Sequence, residues 1–179
     1  MDLTLLYQCY SEKAWLLQEL RSDHAGETGA VWIYKGILTV SRDDQVRQFS
    51  SRHLSTEEGH LALMEQLLPF NERSRLLPLW KLAGFLAGAV PSLFGAQAVY
   101  ATIEAVEHFV VQHYQPQVER LRKDGANEVA KILEQCMHDE MTHQCEARLN
   151  LRQSGRLENL LKRVVIAGSG LAVAAARRI

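Results

Sequence analysis

Two Glu-x-x-His elements are the parts of this sequence best suited to chemistry. They are Glu57-Glu58-Gly59-His60 and Glu140-Met141-Thr142-His143. Because residues three apart share one face of a helix, the glutamate and the histidine of each element can reach the same point in space. A carboxylate and an imidazole together make half of a site for a transition metal such as iron or manganese. Either element alone is equally typical of a solvated helix surface.

A lone glutamate precedes each element, in the middle of the preceding predicted helix. Glu27 lies 30 residues before Glu57, and Glu107 lies 33 residues before Glu140. In an antiparallel hairpin such positions face each other near mid-height, so the pattern indicates a helix hairpin that occurs twice. A glutamate plus a Glu-x-x-His element, present twice, is the ligand set of ferritin-like di-iron bundles. The predicted metal ligands are therefore Glu27, Glu57, His60, Glu107, Glu140 and His143.

The charge of this ligand set indicates which metal it would take. Four carboxylates carry a charge of −4, which two ferrous ions would neutralise. Without metal, burying the four acids together would be costly through desolvation and mutual repulsion. The oxygen-rich set favours iron or manganese over zinc, which prefers closed tetrahedral sites with more nitrogen or sulfur ligands.

Several neighbours of the ligands are candidates for supporting roles. Asp23 and Asp139 could each accept a hydrogen bond from a ligand imidazole and fix its orientation, although both are equally typical of a helix surface. Glu58 points away from Glu57, towards solvent or the outer part of the site. His24 shares the face of Glu27, where packing or hydrogen bonding is expected rather than ligation. The histidines interpreted as ordinary polar positions are His53, His108 and His138.

The elements that position these residues are all predicted to be helices. Helical periodicity predicts a first helix over 11–39 and a second that begins after Ser41 and runs to about 68. Further helices are predicted over about 93–123, about 126–153 and 156–179. The Gly- and Ala-rich stretch 76–90, closed by Pro91, belongs to a crossover over 69–92. Ser41 is the predicted N-cap of the second helix, and Asp124-Gly125 is a predicted turn. Gly26 and Gly29, both inside the first predicted helix, indicate close backbone packing or a functional site. No sequence pattern typical of a β-strand occurs.

Composition limits the other possibilities. The chain has 179 residues, which suits one domain over 1–179, and 47% of them are apolar. With 20 Lys and Arg against 21 Asp and Glu, the net charge of −1 excludes a nucleic-acid binder driven by positive charge. The apolar content also excludes a disordered acidic chain. Three cysteines without a Cys-x-x-Cys pair favour a reducing compartment, and no signal peptide is visible.

The last predicted helix, 156–179, has an apolar middle flanked by cations. Val164 to Ala176 is shorter than the roughly 20 residues that span a bilayer. Lys162-Arg163 precedes it and Arg177-Arg178 follows it. Two interpretations stay open: a core helix with charged ends, or a membrane-associating helix that lies in the interface.

Several blocks of the sequence resemble the demethoxyubiquinone hydroxylases. Leu20–Ala30, which contains Asp23-His24-Ala25-Gly26-Glu27, resembles the first-helix signature of that family. The other blocks are Leu77–Phe85 in the crossover, Ala105-Val106-Glu107 followed by His113-Tyr114, Asp139–His143, and the apolar C-terminal helix. The resemblance extends over about residues 20–179, and the combination of blocks is specific although each block alone is not.

The resemblance implies a ferritin-like four-helix bundle with a long crossover and an extra C-terminal apolar helix. It implies a di-iron monooxygenase of ubiquinone biosynthesis that uses O2 and two electrons to hydroxylate the ring of a polyprenyl demethoxyquinol. The implied location is peripheral, on the cytoplasmic side of the inner (plasma) membrane. Other quinone-biosynthesis proteins are candidate partners, nucleic acid is not, and the oligomeric state stays open.

The family's metal ligands fall on the six residues that spacing had already selected. Its ring-proximal His and Tyr fall on His113 and Tyr114. Tyr114 also lies seven residues after Glu107, on nearly the same helix face, where it could relay an electron or a proton, hold the substrate head group, or simply pack in the core.

Two positions depart from the family pattern. Thr28 stands where the family usually has Tyr, and Glu104 stands where it usually has an aliphatic residue. Glu104 precedes Glu107 by three residues, so it either adds a fifth acid near the metals or reaches solvent. Two alternative functions stay open: a rubrerythrin- or ferritin-like ferroxidase or peroxidase, and a helical structural subunit with a degenerate site.

Overall fold

A computed structural model describes residues 13–152 and 155–179. Within them the chain forms six α-helices and one 3-10 turn, and no strand. The helices are α1 (Ala14–Val40), α2 (Asp44–Leu67), α3 (Leu77–Ser92), α4 (Ala96–Lys123), α5 (Asn127–Asn150) and α6 (Arg156–Ala176), with the 3-10 turn at Phe70–Glu72. The all-α prediction is confirmed. The order of two long helices, a shorter one, two long helices and a last one is that of the predicted ferritin-like bundle.

The chain divides into two compact units. The first comprises Met1–Leu93 and Gly170–Ile179, and the second comprises Phe94–Ser169. Each unit holds one pair of long helices joined by a short connection, so the predicted repetition of a helix hairpin is present at the level of secondary structure. The prediction of a single domain over 1–179 stays a prediction.

The hairpin of the first unit turns at residues 41–43. Asp43 is the N-cap of α2, because its carboxylate accepts hydrogen bonds from the backbone N–H groups of Gln45 and Val46 at 2.9 and 3.0 Å. The prediction of Ser41 as this N-cap was wrong. Ser41 instead follows the last residue of α1, and its backbone N–H donates to the carbonyl of Ile37 at 2.8 Å.

Helix α3 lies against α1 at backbone contact distance. A Cβ atom built on Gly84 would overlap the carbonyl of Gly29, and one on Gly88 would overlap the carbonyl of Ile33. The backbone of Gly29 thus lies against Gly84, but a Cβ atom on Gly29 or on Gly26 would itself meet nothing within 4 Å, so the close packing requires glycine on α3 rather than at these two positions. The predicted crossover contains this helix, and Pro91 lies inside its last turn rather than beyond its end.

The hairpin of the second unit joins α4 to α5 through residues 124–126. Gly125 has a φ of +76°, the left-handed region that glycine adopts without steric cost, which confirms the predicted turn. Helix α4 runs through Pro116 without interruption. Helix α5 ends at Asn150, three residues earlier than predicted, because Leu151 is extended.

The last helix, α6, exposes most of its apolar side chains. Ala176 is its one buried residue, while Val164, Ile166 and Leu171 are exposed. The core-helix interpretation was therefore wrong. Among the described helices, α6 is the one whose length and composition would allow it to cross a membrane. At the chain end, the guanidinium of Arg177 donates to the carboxylate of Glu19 at 2.6 and 3.0 Å.

Candidate metal centre

The first unit brings one glutamate of α1 to the Glu-x-x-His element of α2. Ligand atoms of Glu27, Glu57 and His60 lie within 4.8 Å of one another. The Nδ1 atom of His60 is 3.8 Å from a carboxylate oxygen of Glu27 and 3.8 Å from one of Glu57. All three residues are buried, at most 4% exposed. The mid-helix placement inferred from the 30-residue spacing thus produces a cluster, which is called half-site A below.

The second unit repeats this arrangement with α4 and α5. Ligand atoms of Glu107, Glu140 and His143 also lie within 4.8 Å of one another. The Nδ1 atom of His143 lies 3.1 Å from a carboxylate oxygen of Glu140, three residues before it on the same helix face. These residues are at most 5% exposed. This second cluster is called half-site B.

The donor chemistry of each half-site fits a divalent first-row metal. Two carboxylates and one imidazole offer oxygen and nitrogen ligands, the mixture that iron and manganese accept. Two buried carboxylates this close repel each other when both are ionised, and burial penalises their charge further. One divalent cation in each half-site would cancel its formal charge of −2.

The predicted supporting residues have different environments. Asp23 is buried on α1, one turn before Glu27. Asp139 is half-buried and accepts a hydrogen bond from the side chain of Gln135 at 3.1 Å, one turn earlier on α5. Their roles towards ligand imidazoles stay predictions. Glu58 is exposed and pairs with Lys35 at 3.1 Å, so it points to solvent, as expected.

His24 is buried in a charged environment that the sequence did not reveal. Its Nε2 atom lies 3.8 Å from a carboxylate oxygen of Glu65, which is itself bound to Arg73 at 3.0 Å. Burial, together with the positive charges of Arg73 and Lys81, lowers the pKa of His24 from 6.5 to about 4, although Glu65 opposes the shift. His24 is therefore neutral at pH 7 and lies outside the two ligand clusters, as predicted.

The two residues carried over as ring-proximal groups differ in exposure. Tyr114 is 1% exposed, two turns after Glu107 on α4. His113 is half-buried, and its ring stacks on Phe109 with the centroids 6.2 Å apart and the planes 12° apart. The rings of His113 and Tyr114 lie 6.3 Å apart. Their catalytic roles stay predictions.

The two departures from the family pattern have local explanations. Glu104 binds Lys162 of α6 at 2.8 Å, so the carboxylate has a cationic partner within its own unit. The hydroxyl of Thr28 donates to the carbonyl of His24 at 2.8 Å along the same helix. Thr28 is buried, so this smaller side chain occupies the position on α1 where the family usually has a tyrosine ring.

Sequence reasoning missed a buried aromatic cluster in the first unit. His53 was interpreted as an ordinary polar position, and this was wrong: it is 3% exposed and its ring lies 4.1 Å from that of Phe49. Tyr34 lies 5.8 Å from the His53 ring and is fully buried. A signal was present, because Tyr34 follows Glu27 by seven residues just as Tyr114 follows Glu107.

Comparison with known proteins assigns this arrangement to a family. Residues 14–176 match the family described as "Ubiquinone biosynthesis protein COQ7". A protein of Rattus norvegicus named "NADPH-dependent 3-demethoxyubiquinone 3-hydroxylase, mitochondrial" is 30% identical over 94% of this chain and 84% of its own length. The "3-demethoxyubiquinol 3-hydroxylase" of Rhodospirillum rubrum is 35% identical over 89% of this chain and 76% of its own length. These matches confirm the predicted resemblance and the predicted class of hydroxylating oxidoreductase.

Proposed function

Because the chain belongs to the COQ7 family of ubiquinone biosynthesis proteins, we propose that it hydroxylates the ring of a polyprenyl demethoxyquinol with O2 at a two-iron centre. The relatives named above are demethoxyubiquinone or demethoxyubiquinol hydroxylases. The observation that carries the proposal is the pair of buried half-sites, each with two carboxylates and one imidazole. A degenerate structural subunit would have no reason to keep two complete ligand clusters out of solvent.

The six ligand residues would hold the metal. Glu27, Glu57 and His60 would supply half-site A, and the corresponding residues of α4 and α5 would supply half-site B. Iron bound there would activate O2 so that one oxygen atom enters the substrate ring and the other leaves as water. The protein fixes the donor geometry and keeps bulk water away, since every donor residue is almost fully buried.

Residues on α4 would handle electrons, protons and substrate. Tyr114 lies about 10 Å along the helix axis from Glu107, at a rise of 1.5 Å per residue, and nearly on the same face. Its buried phenol would move an electron or a proton, or would bind the quinol head group. His113, half-buried beside it, is the candidate contact to the substrate ring.

The proposed substrate carries a long isoprenoid tail, so it must reach the protein from a bilayer. Helix α3 offers a suitable surface, with an apolar stripe at spacings of three and four residues on the face opposite Gly84 and Gly88. Its members are 43–72% exposed. They are Leu79, Leu82, Leu86, Val90 and Leu93. We infer that this stripe, which we call the leucine stripe, docks on the membrane. The exposed apolar side chains of α6 are a separate candidate for membrane contact.

The peripheral location on the cytoplasmic side of the inner membrane remains part of this proposal. The rat relative is named as mitochondrial. Exposed apolar surface argues against the ferroxidase alternative, because a soluble iron-handling protein would not need it. The rat relative is named as NADPH-dependent, and we propose NADPH as the source of electrons for this chain as well.

A quinone profile tests the proposal in cells. A strain that lacks the gene should accumulate demethoxyubiquinone, and the wild-type gene should restore ubiquinone. His143→Ala should fail to restore it, while His138→Ala, an exposed histidine on the same helix, should succeed. Normal ubiquinone in the deletion strain, with no second hydroxylase gene present, would contradict the proposal.

A further inference from the structure

The first hairpin contains a buried tyrosine at the position that Tyr114 occupies in the second. Tyr34 follows Glu27 by seven residues, and Tyr114 follows Glu107 by seven. Seven residues are two helical turns, which return nearly to the same face about 10 Å along the axis. Tyr34 is 0% exposed and Tyr114 is 1% exposed. The duplication therefore repeats a tyrosine as well as the metal ligands.

The ring of Tyr34 packs beside an imidazole. Its centroid lies 5.8 Å from that of His53 and 6.5 Å from that of Phe49, and the rings of His53 and Phe49 lie 4.1 Å apart with their planes tilted by 31°. His53 lies on α2, one turn before the ligand Glu57. The imidazole of His53 has ring nitrogens that can accept a proton, and it lies in the same buried cluster as the phenol.

Packing alone would not require this pair of residues. Phenylalanine would fill the space of Tyr34 without a hydroxyl to remove from water, and an aliphatic residue would fill that of His53 at lower desolvation cost. A phenol next to a proton acceptor, two turns from a metal ligand, is instead suited to giving up an electron and a proton together.

We propose that Tyr34 is an electron relay for half-site A, with His53 as its proton acceptor; this rests on the proposed function. With iron bound in half-site A, the phenol of Tyr34 would supply one electron to it, and the hydroxyl proton would pass to a ring nitrogen of His53. A neutral tyrosyl radical and an imidazolium remain. The reductant that the hydroxylation consumes then returns one electron to Tyr34, and His53 returns the proton.

Rapid-freeze electron paramagnetic resonance on the iron-loaded full-length protein tests this relay. Reduced protein is mixed with O2 in the absence of external reductant and frozen within milliseconds to seconds. The Tyr114→Phe variant should still give a tyrosyl signal, and ring-deuterated tyrosine should narrow it. Tyr34→Phe in the same background should abolish it. An unchanged signal in the doubly substituted protein, or none in Tyr114→Phe, would overturn the proposal.

A second variant separates the relay from a structural role. His53→Gln should slow radical formation at least tenfold and remove its solvent deuterium isotope effect, while iron content and melting temperature stay near those of Tyr114→Phe. Unchanged kinetics in His53→Gln would refute the role of His53 as proton acceptor. Failure of the wild-type protein to bind iron would count against the proposed function itself. Normal iron loading and product formation by the wild type, without a tyrosyl radical in Tyr114→Phe, would count against the relay alone.

Discussion

At the scale of single residues, the ligand set combines groups that a protein interior accepts only at a cost. Two carboxylates share each half-site, and the imidazole nitrogen of His60 or His143 lies 3.1–3.8 Å from a carboxylate oxygen. Without metal, burying two carboxylates together is costly through desolvation and mutual repulsion. Metal binding removes that penalty, so the affinity for metal and the stability of the folded chain should be linked.

Glu140→Gln separates these two effects. Removing one buried negative charge should raise the melting temperature of the metal-free protein, because it relieves repulsion in half-site B. The same change should lower bound iron well below two per chain, since a carboxylate ligand is then lost. Metal analysis and thermal unfolding with and without iron measure both.

The matched control is Glu128→Gln on the same helix, where the acid is exposed and pairs with Lys131 at 2.9 Å. It should leave iron content unchanged. If Glu140→Gln binds as much iron as this control, Glu140 is not a ligand.

His24 makes stability depend on pH in a defined direction. Its pKa is about 4 in the folded state and 6.5 as a model value, so the unfolded chain takes up a proton first as the pH falls. The stabilisation is complete above pH 6.5 and is lost between pH 6.5 and 4. Between pH 7 and 5 this residue should reduce the free energy of unfolding by about 2 kcal/mol.

Urea unfolding of the wild type and His24→Gln at both pH values measures this contribution. The difference between pH 7 and 5 should be smaller in His24→Gln by that amount. An equal pH dependence in the two proteins would show that His24 titrates alike in the folded and unfolded states.

At the scale of elements, contacts between helix backbones position half-site A. Gly84 and Gly88 of α3 have no room for a Cβ atom, because the carbonyls of Gly29 and Ile33 on α1 occupy that space. Gly29 is two residues after Glu27, so any shift of α1 relative to its neighbours would also displace a ligand. The contact between α1 and α3 therefore connects the leucine stripe to Glu27, one of the ligands of half-site A.

Gly84→Ala should push α3 away from α1. The methyl group would meet backbone rather than a movable side chain, so a loss of stability of about 1–3 kcal/mol is expected, as in other overpacked interfaces. Gly59→Ala is the control, since its site on α2 is exposed and has nothing within 4 Å. It should gain up to about 1 kcal/mol from helix propensity.

Urea unfolding of both variants makes the comparison. Equal stability of Gly84→Ala and wild type would mean that α3 is not held tightly against α1.

The sequence predicted the elements well where the signal was local. Asp124-Gly125 marked its turn because only glycine adopts that backbone conformation freely. The N-cap of α2 was misplaced because Ser41 and Asp43 are both good capping residues, and only the backbone geometry decides between them. The burial of His53 depends on which face of α2 packs against α1. This tertiary contact could not be predicted from the sequence, because a histidine is polar enough to be expected at the surface.

At the scale of the whole molecule, exposed apolar surface is the feature that a soluble metalloprotein would not need. Both the leucine stripe and α6 present large apolar side chains to solvent. The sequence could identify α6 as apolar but could not decide between core and surface. The six ligands could be predicted because their spacing follows from helix geometry, whereas the partners Glu65 and Lys162 depend on contacts between distant segments.

The double variant Leu82→Glu/Leu86→Glu tests the leucine stripe as a docking surface. Binding to vesicles of phosphatidylcholine and phosphatidylglycerol should weaken at least tenfold, because a factor of ten needs only about 1.4 kcal/mol of lost transfer free energy. Leu149→Glu, which changes an exposed leucine of α5, should bind as the wild type does. Co-sedimentation measures both, and equal binding of all three proteins would exclude the stripe as the docking surface.

The proposed reaction, in which this chain uses O2 to hydroxylate a demethoxyquinol ring at its own metal centre, can be followed by isotope labelling. The most direct measurement supplies the iron-loaded protein with a demethoxyubiquinol in vesicles, a reductant and ¹⁸O2, and analyses the quinone by mass spectrometry. The wild type should form product with one ¹⁸O atom in the new ring hydroxyl, and Glu140→Gln should form no hydroxylated product. Unlabelled product, or no hydroxylated product from protein that holds two irons, would contradict it.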